Sequence, residues 1–327
     1  MKVKECTVPR IILKLDALQG RLDPLHVKIP LIKDEWKKRL AGHKGEVSLE
    51  YVLGFLDPDE YVQLHGVRLK VDGIYFQIDT LILSRKTILV MEVKNFAGTI
   101  YFDRVFNQLI QTKDGQELSF PDPLIQVSQQ VNQLTKWLRQ HHFPAIPIHG
   151  FVVISNDKTL IKTSSDYKFL SSKVFHKQLL PTKVSQLSNL IKAEVYTDKE
   201  VKRLIIMIKK KHEEANPPVL EKFKISTKEI LPGVICTTCK FRPLIRMHGT
   251  WYCPKCKSSD KEGHLRALLD YELLIGPTLT NLEFRRFLNL RSRHVSLRLL
   301  KSLNLPTTGT QKGTTYNLTP LTKLSNK

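Results

Sequence analysis

The fold is decided by two neighbouring apolar segments, YFQIDTLIL at residues 75–83 and TILVMEVK at residues 87–94. Their apolar and β-branched residues are typical of strands that are buried within a sheet. Each segment nevertheless carries an acid, Asp79 or Glu92, which such surroundings disfavour unless the charge is paired or bound to metal. Because residues two apart on a strand share a face, Glu92 and Lys94 project to one side. We therefore expect two acids and a lysine to converge at the end of these strands.

Two acids and a lysine suit the metal-assisted cleavage of a phosphodiester. Hard divalent cations such as Mg²⁺ prefer carboxylate oxygens. The cation neutralises phosphate charge and lowers the pKa of a bound water. A lysine beside it can orient that water or stabilise the charge that develops on phosphate. The structural alternative is a plain hairpin that ends in a Glu–Lys pair.

Two predicted helices flank the strand pair along the chain. Residues 44–53 are apolar around most of their circumference, which predicts a buried helix with Glu46 at its start. Glu46 can be favoured there by the helix dipole, although an ordinary first-turn glutamate fits the same pattern. Asp122 as cap and Pro123 at the first position predict the second helix.

The second predicted helix carries a row of glutamines next to its apolar stripe. Gln126 lies in the first turn, from which it can reach a site at the strand ends. For Gln129 and Gln130 we expect a solvated surface, which is the usual environment of glutamine on a helix.

Together these segments resemble a known family. The resemblance rests on four motifs in order: GxxGE at residues 42–46, QID at 77–79, EVKN at 92–95 followed by Gly98, and DPLIQ at 122–126. They are similar to the NERD (nuclease-related) domain, a branch of the PD-(D/E)xK nuclease-like superfamily, over roughly residues 40–155. The sequence departs from the parent pattern at Ile78, which stands where the parent motif has proline.

The resemblance implies an α/β fold, a restriction-endonuclease-like mixed sheet flanked by helices. It also implies that Asp79 and Glu92 bind Mg²⁺, with Glu46 nearby as a further acid. Lys94 would serve catalysis, and Gln126 would be the accessory polar residue on the following helix.

Four cysteines form a separate pattern near the carboxyl end. Cys236-x-x-Cys239 and Cys253-x-x-Cys256 are separated by 13 residues, which is the spacing of a structural zinc ribbon with a closed, non-catalytic Zn²⁺ site. The alternative is redox-active or unpaired thiols. Cys6 is expected to be a bystander, and four cysteines make His248 unnecessary as a ligand.

A helix-turn-helix with a wing is predicted after the cysteines. Thr280 and Glu283 form a capping box, and Ser292 can cap a second helix that runs to about Leu303. Residues 307–318 contain glycine turns followed by a strand-like Thr-Thr-Tyr segment, and this stretch as a whole resembles a wing. The predicted nucleic-acid contacts are Arg291, Arg293, His294, Arg298, Lys301 and Lys312. The alternative is a basic helical hairpin used for packing.

Charge is distributed unevenly along the 327 residues. Residues 1–150 carry 20 basic and 17 acidic side chains, whereas residues 151–327 carry 32 and 14. Such a basic half favours a polyanionic partner, nucleic acid before an acidic membrane surface. The apolar runs are too short to span a membrane and no signal peptide is evident, so we expect a cytoplasmic protein. The oligomeric state is left open.

The predicted division of the chain has five parts. They are an N-terminal extension of mixed, weakly strand-like character (1–30), a NERD nuclease-like domain (31–212), a linker (213–230), a zinc ribbon (231–262) and a winged-helix-like nucleic-acid-binding domain (263–327). The leading hypothesis is a Mg²⁺-dependent nuclease that acts on DNA, with its carboxyl-terminal parts recruiting substrate. A catalytically inactive nucleic-acid-binding regulator and an RNA-processing nuclease are the alternatives.

Overall fold

The computed structural model describes residues 1–165 and 167–321, without the side chain of Lys312. The strands are β1 (Lys2–Lys4), β2 (Val62–Val71), β3 (Ile74–Leu83), β4 (Ile88–Lys94), β5 (Thr99–Asp103), β6 (Gln108–Lys113), β7 (Gln116–Pro121), β8 (Ile148–Ile154), β9 (Leu160–Thr163), β10 (Val174–His176), β11 (Ile245–Met247), β12 (Thr250–Tyr252), β13 (Ser259–Asp260), β14 (Thr278–Thr280), β15 (Thr307–Thr308) and β16 (Thr315–Asn317). The α-helices are α1 (Arg10–Arg21), α2 (Ile29–Val47), α3 (Leu49–Leu53), α4 (Pro123–Gln140), α5 (Leu170–Lys173), α6 (Leu180–Leu190), α7 (Asp198–Lys211), α8 (Val219–Phe223), α9 (Gly263–Leu274), α10 (Asn281–Leu288) and α11 (Arg293–Ser302). Single 3₁₀ turns occur at Lys177–Leu179, Thr227–Glu229 and Gln311–Gly313.

The chain divides into two compact units. One contains Met1–Thr7 and Leu40–Glu214, and the other contains Val8–Arg39 and Ala215–Lys327. One boundary lies within α2, and another falls in the polar stretch before Pro217 and Pro218.

The first unit is built on a six-stranded mixed sheet with the order β1-β2-β3-β4-β8-β10. Strands β2, β3 and β4 are antiparallel neighbours, whereas β8 is parallel to β4 and β10 is parallel to β8. A parallel pair needs a crossover, and the connection from β4 to β8 contains α4. A second sheet has the order β7-β6-β5-β9. The mixed α/β class predicted from the sequence is confirmed.

Both faces of the central strands are covered, which explains their near-continuous apolar sequence. On one face, Val90 belongs to a core shared with Leu134 of α4 and Leu204 of α7. On the other, Met91 belongs to a core shared with Val52 of α3 and Val184 of α6. The side chains of β4 therefore alternate between two apolar layers until the strand reaches Glu92.

The second unit contains a helix that the sequence reading missed. Residues 1–30 were expected to be weakly strand-like, but α1 occupies Arg10–Arg21 and packs against α9. Its buried Leu15 and Leu18, with Leu22 directly after the helix, recur at helical spacing and join the unit's main core. The neighbouring β-branched residues Ile11 and Ile12 favour a strand locally. The helical spacing of the buried leucines outweighs this preference.

Two small sheets complete the second unit. One has the order β11-β12-β13, and the other has the order β14-β16-β15. Among the described helices, none combines the length and the apolar character needed to cross a membrane.

Candidate functional site

The first candidate site lies where β3 and β4 separate. The antiparallel register ends with the pair Thr80 and Met91, and Asp79 and Glu92 are the next residues on the two strands. The Asp79 carboxylate accepts a hydrogen bond of 2.9 Å from the backbone N–H of Val93. The predicted strands thus bring the two acids to the same rim of the sheet.

Glu92 is held by two side chains. It is only 2% exposed. Lys94 Nζ donates to Glu92 Oε1 at 2.7 Å, and Gln130 Nε2 donates to Glu92 Oε2 at 2.6 Å. Both carboxylate oxygens are therefore engaged, which fixes the orientation of the acid and offsets the cost of its burial.

The Lys94 ammonium has a second partner on α4. It donates to Gln126 Oε1 at 3.0 Å, while one quarter (25%) of its side chain remains accessible. Asp122 caps α4 by accepting from the N–H of Leu124 at 2.7 Å, which sets Gln126 in the first turn as the sequence predicts. Lys94 is thus clamped between a buried acid and an exposed amide.

Gln130 was missed by sequence reasoning. The prediction of a solvated side chain is wrong, because Gln130 is 5% exposed and donates to Glu92, whereas Gln129 is exposed as expected. The signal was available: residues four apart on a helix share a face, and Gln126 was already directed at the site.

The Asp79 carboxyl has an unusual electrostatic environment. Burial, then the neighbouring carboxylates of Glu92 and Glu46, raise the pKa of Asp79 well above its ordinary range, against smaller opposing effects of the Val93 N–H and Lys94. Several acids therefore share one poorly solvated region, which favours either a proton or a cation among them.

Glu46 was predicted at the amino end of a helix, but it lies near the carboxyl end of one. It was expected to start a helix at residues 44–53, but α2 already begins at Ile29 and ends at Val47. The helix dipole there opposes a carboxylate instead of favouring it. Burial, then the charge of Glu92, raise the pKa of Glu46 to about 7.

Gly45 lets α2 approach the strand ends closely. A Cβ atom at this position would lie 2.8 Å from Ser155 Oγ and 2.9 Å from Asn95 Cβ. Asn95, which directly follows β4, donates from Nδ2 to the Ala41 carbonyl of α2 at 2.7 Å. The GxxGE and EVKN motifs therefore meet each other.

Two groups of at least three His, Cys, Asp or Glu ligand atoms lie within 4.8 Å of one another in the described residues. One is the set of four predicted cysteines, and the other is Cys6, His43 and Glu46. The three carboxylates of Glu46, Asp79 and Glu92 are not such a group. They are nevertheless close enough for the charge of one to raise the pKa of another.

The four cysteines converge and fit a zinc ribbon. Cys236 Sγ lies 3.6 Å from Cys256 Sγ, and Cys239 Sγ lies 3.5 Å from Cys253 Sγ. Thiolates around one tetrahedral ion have separations of this order. No disulfide links them, since all four are free thiols.

Each cysteine pair sits on a similar local turn. The N–H of Lys240 donates to the Cys236 carbonyl at 3.0 Å, and the N–H of Lys257 donates to the Cys253 carbonyl at 2.9 Å. Both lysines have positive φ, 60° and 64°. The β11–β12 hairpin between the two turns presents one pair to the other.

The predicted basic helix is present in the second unit. Thr280 and Glu283 form the capping box of α10, and Ser292 Oγ caps the basic helix α11 by accepting from the N–H of Val295. Leu299 and Leu300 of α11 are buried. Five of the predicted nucleic-acid contacts are exposed: Arg291, Arg293, His294, Arg298 and Lys301. The side chain of the sixth, Lys312, lies outside the described residues.

Further arginines accompany this surface. An open pocket is lined by Arg285, Arg286 and Arg291, of which the first two were not predicted. Burial, and secondly the nearby charge of Arg298, lower the pKa of Arg246. The Nη1 atom of Arg246 is buried and has no hydrogen-bond partner among the described residues. Concentrated like charge of this kind favours an anionic partner.

Comparison with known proteins agrees with the motifs. Residues 41–155 match the family model NERD, the nuclease-related domain. All five predicted active-site residues lie within this segment, and the resemblance recognised from the sequence is confirmed over it. A stretch of 131 residues is 28% identical to an uncharacterized protein of Bacillus anthracis, covering 40% of this chain and 59% of that protein. No solved structure matches the chain.

Proposed function

We propose that this protein is a metal-dependent nuclease that hydrolyses phosphodiester bonds in DNA. The observation that carries the proposal is the clamp on Lys94, whose ammonium lies 2.7 Å from Glu92 and 3.0 Å from Gln126 at the rim where Asp79 meets Glu92. The nuclease-related match over residues 41–155 supports the same chemistry.

The acids fit a hard divalent cation. Burial and mutual repulsion raise the pKa of Asp79 and of Glu46, and a cation between carboxylates would offset both effects. The side chains of these acids offer only oxygen atoms as ligands, and Mg²⁺ prefers oxygen ligands. Asp79 and Glu92 would hold the ion, with Glu46 as a further acid. Bound Mg²⁺ would neutralise phosphate charge and lower the pKa of a coordinated water.

The remaining chemistry belongs to the chain itself. Lys94 can donate to the attacking water or to a phosphate oxygen as negative charge develops on it. Glu92 keeps the ammonium in position, and Gln130 in turn fixes Glu92. The exposed amide of Gln126 can donate to the scissile phosphate while its oxygen accepts from Lys94.

The cysteine cluster would hold a structural Zn²⁺. Four thiolates complete a tetrahedral shell and leave no position for substrate, so the ion would support folding without taking part in catalysis.

The basic helices of the second unit would recruit the substrate. Helices α9, α10 and α11 with the sheet β14-β16-β15 follow the element order of a winged helix. A second helix with a basic exposed face is suited to the major groove of a duplex, which favours DNA over RNA. The arginines of α10 and α11 would contact phosphates.

The proposal is tested by a cleavage panel with the full-length, zinc-loaded chain. The substrates are duplex, branched and single-stranded DNA and RNA, each incubated with Mg²⁺ or with a chelator. The variants are Asp79→Asn and Lys94→Met, and Lys113→Met is the matched control because Lys113 is an exposed lysine of the same domain.

We expect the wild type to cut DNA only with Mg²⁺. Lys94→Met should lower the rate by a factor of about 100 or more, as removal of a transition-state donor does. Asp79→Asn should also lower it strongly, because it removes a proposed ligand of Mg²⁺, while Lys113→Met cuts normally. A folded wild type that binds DNA but cuts none of the substrates would refute the enzyme and favour a binding regulator. Preferential cutting of RNA would favour the RNA-processing alternative.

A further inference from the structure

A second group of donors lies in the first unit, apart from the four cysteines. Cys6 follows β1, whose pairing with β2 anchors this end of the chain. His43 and Glu46 are three residues apart on α2 and therefore share a face. Cys6 Sγ lies 3.9 Å from His43 Nδ1 and 4.0 Å from Glu46 Oε2.

These separations suit ligands of one ion better than hydrogen-bond partners. Two ligands at about 2.0–2.3 Å from a metal lie up to about 4 Å apart, whereas 3.9 and 4.0 Å are long for hydrogen bonds even to sulfur. The three ligand atoms are all within 4.8 Å of one another, so small side-chain movements would complete the site.

The donor chemistry selects the kind of ion. Sulfur, imidazole nitrogen and carboxylate oxygen together favour a borderline cation such as Zn²⁺ over Mg²⁺, which prefers oxygen alone. His43 is 7% exposed, while Cys6 and Glu46 are half-buried. The site is therefore sheltered on the imidazole side and reachable on the others.

A reactive thiol is the competing role for Cys6. Reactive cysteines lie beside cationic groups that lower the thiol pKa. Here burial, and then the carboxylates of Glu46 and Glu50, raise the pKa of Cys6 to about 12, with Lys4 and Lys2 opposing. The surroundings of Cys6 thus attract a cation instead of activating a nucleophile.

We propose that Cys6, His43 and Glu46 form a second metal site, which takes Zn²⁺ or a similar borderline divalent ion. Three protein ligands leave a fourth position for water or another oxygen donor. Glu46 also interacts electrostatically with Asp79 and Glu92, so this ion would share an acid with the proposed nuclease site. The site itself does not depend on the nuclease proposal.

The test uses cobalt as a spectroscopic probe for zinc. Full-length protein with its ribbon already loaded with Zn²⁺ is titrated with Co²⁺ in excess Mg²⁺, and the thiolate-to-cobalt charge-transfer band is recorded. Zinc is measured before and after the titration so that exchange at the ribbon is subtracted. The variants are Cys6→Ser and His43→Gln. Glu50→Gln is the matched control, because Glu50 contributes charge to Cys6 and His43 without being a member of the cluster.

We expect one additional equivalent of Co²⁺ with a single-thiolate band in the wild type and in Glu50→Gln. Cys6→Ser should lack the band, and His43→Gln should weaken binding by at least about tenfold. Circular dichroism verifies that each variant is folded. A wild type that takes up no Co²⁺ beyond the ribbon, or a Cys6→Ser variant with an unchanged band, would overturn the site. Because no cleavage is measured, a chain that binds Co²⁺ here but cuts no nucleic acid would refute only the proposed nuclease.

Discussion

The carboxylate–lysine site and the cysteine cluster are assembled in opposite ways. Glu46, Asp79, Glu92 and Gln126 come from α2, β3, β4 and α4, and they are spread over most of the segment that matches the nuclease-related family model. The four cysteines lie between residues 236 and 256, on two similar turns joined by one hairpin. The first site is a product of the tertiary fold, whereas the second is encoded almost locally.

This difference decides how each site fails. A cluster of four thiolates would depend on a bound ion to hold it together, even though Trp251 and Cys253 also join the main core of the second unit. The carboxylate site is supported by two apolar layers, so loss of a site residue should leave the domain folded. The predictions below test this contrast.

The largest effect is expected at the ribbon. Cys253→Ser should abolish the proposed zinc binding and with it on the order of 10 kcal/mol of binding free energy that would stabilise residues 231–262. Zinc content and tryptic protection of this segment measure the loss. The control is Thr237→Ser, an exposed change between two ligands. Retained zinc and unchanged protection in Cys253→Ser would contradict a metal-dependent segment.

A change beside the carboxylate site should impair activity without unfolding. Gln130→Leu removes the donor to Glu92 Oε2, and loss of such an orienting contact lowers activity by about 10- to 100-fold. We expect the fall in kcat, with the domain still folded but its melting temperature somewhat lowered, because buried Glu92 loses one of its two donors. Gln129→Leu, one position away and exposed, is the matched control. Equal activity of the two variants would show that Gln130 is not a positioning residue.

The stability of the first unit should depend on pH through His65. This side chain is 1% exposed, its Nδ1 lies 3.1 Å from Thr80 Oγ1, and burial lowers its pKa from 6.5 to about 4. The unfolded chain therefore takes up a proton first as pH falls below 6.5, so stability is fully present above that value and declines toward pH 4.

Between pH 7 and pH 5 this histidine should cost the folded state about 2 kcal/mol. Urea unfolding at the two pH values measures the change, and His65→Gln should reduce it. An equal decline in the variant would assign the pH dependence to other groups.

The smallest effect is expected on the basic surface. Arg298→Ala should reduce the slope of log binding constant against log salt by about 0.9, the value for one lost phosphate contact on duplex DNA. Binding titrations at several salt concentrations measure this slope. An unchanged slope would exclude Arg298 from the interface and leave the packing alternative for α11.

The sequence predicted much of this organisation because its signals are local. Strand period places Glu92 and Lys94 on one face, and the Asp122–Pro123 start positions Gln126. Likewise, two residues between the cysteines of each pair place both thiols on one turn, which limits the possible arrangements of metal ligands. The same local rules missed α1, where a β-branched pair concealed a helical stripe.

The other errors arose from tertiary context. The position of Glu46 depends on where α2 begins and ends, and the weak amphipathic pattern of this helix obscures both limits. The burial of Gln130 depends on the partner that α4 meets. Cys6 is distant in sequence from His43, and β1 pairs in parallel with β2, so no spacing rule connects the two residues.

The tight seat of α2 at Gly45 has one more consequence. A single added methyl group there would collide with Ser155 and Asn95 and push the helix outward as a lever. His43 and Glu46, two residues before and one residue after this contact, would be displaced together. One small substitution would thus disturb the proposed nuclease site and the proposed second metal site at once.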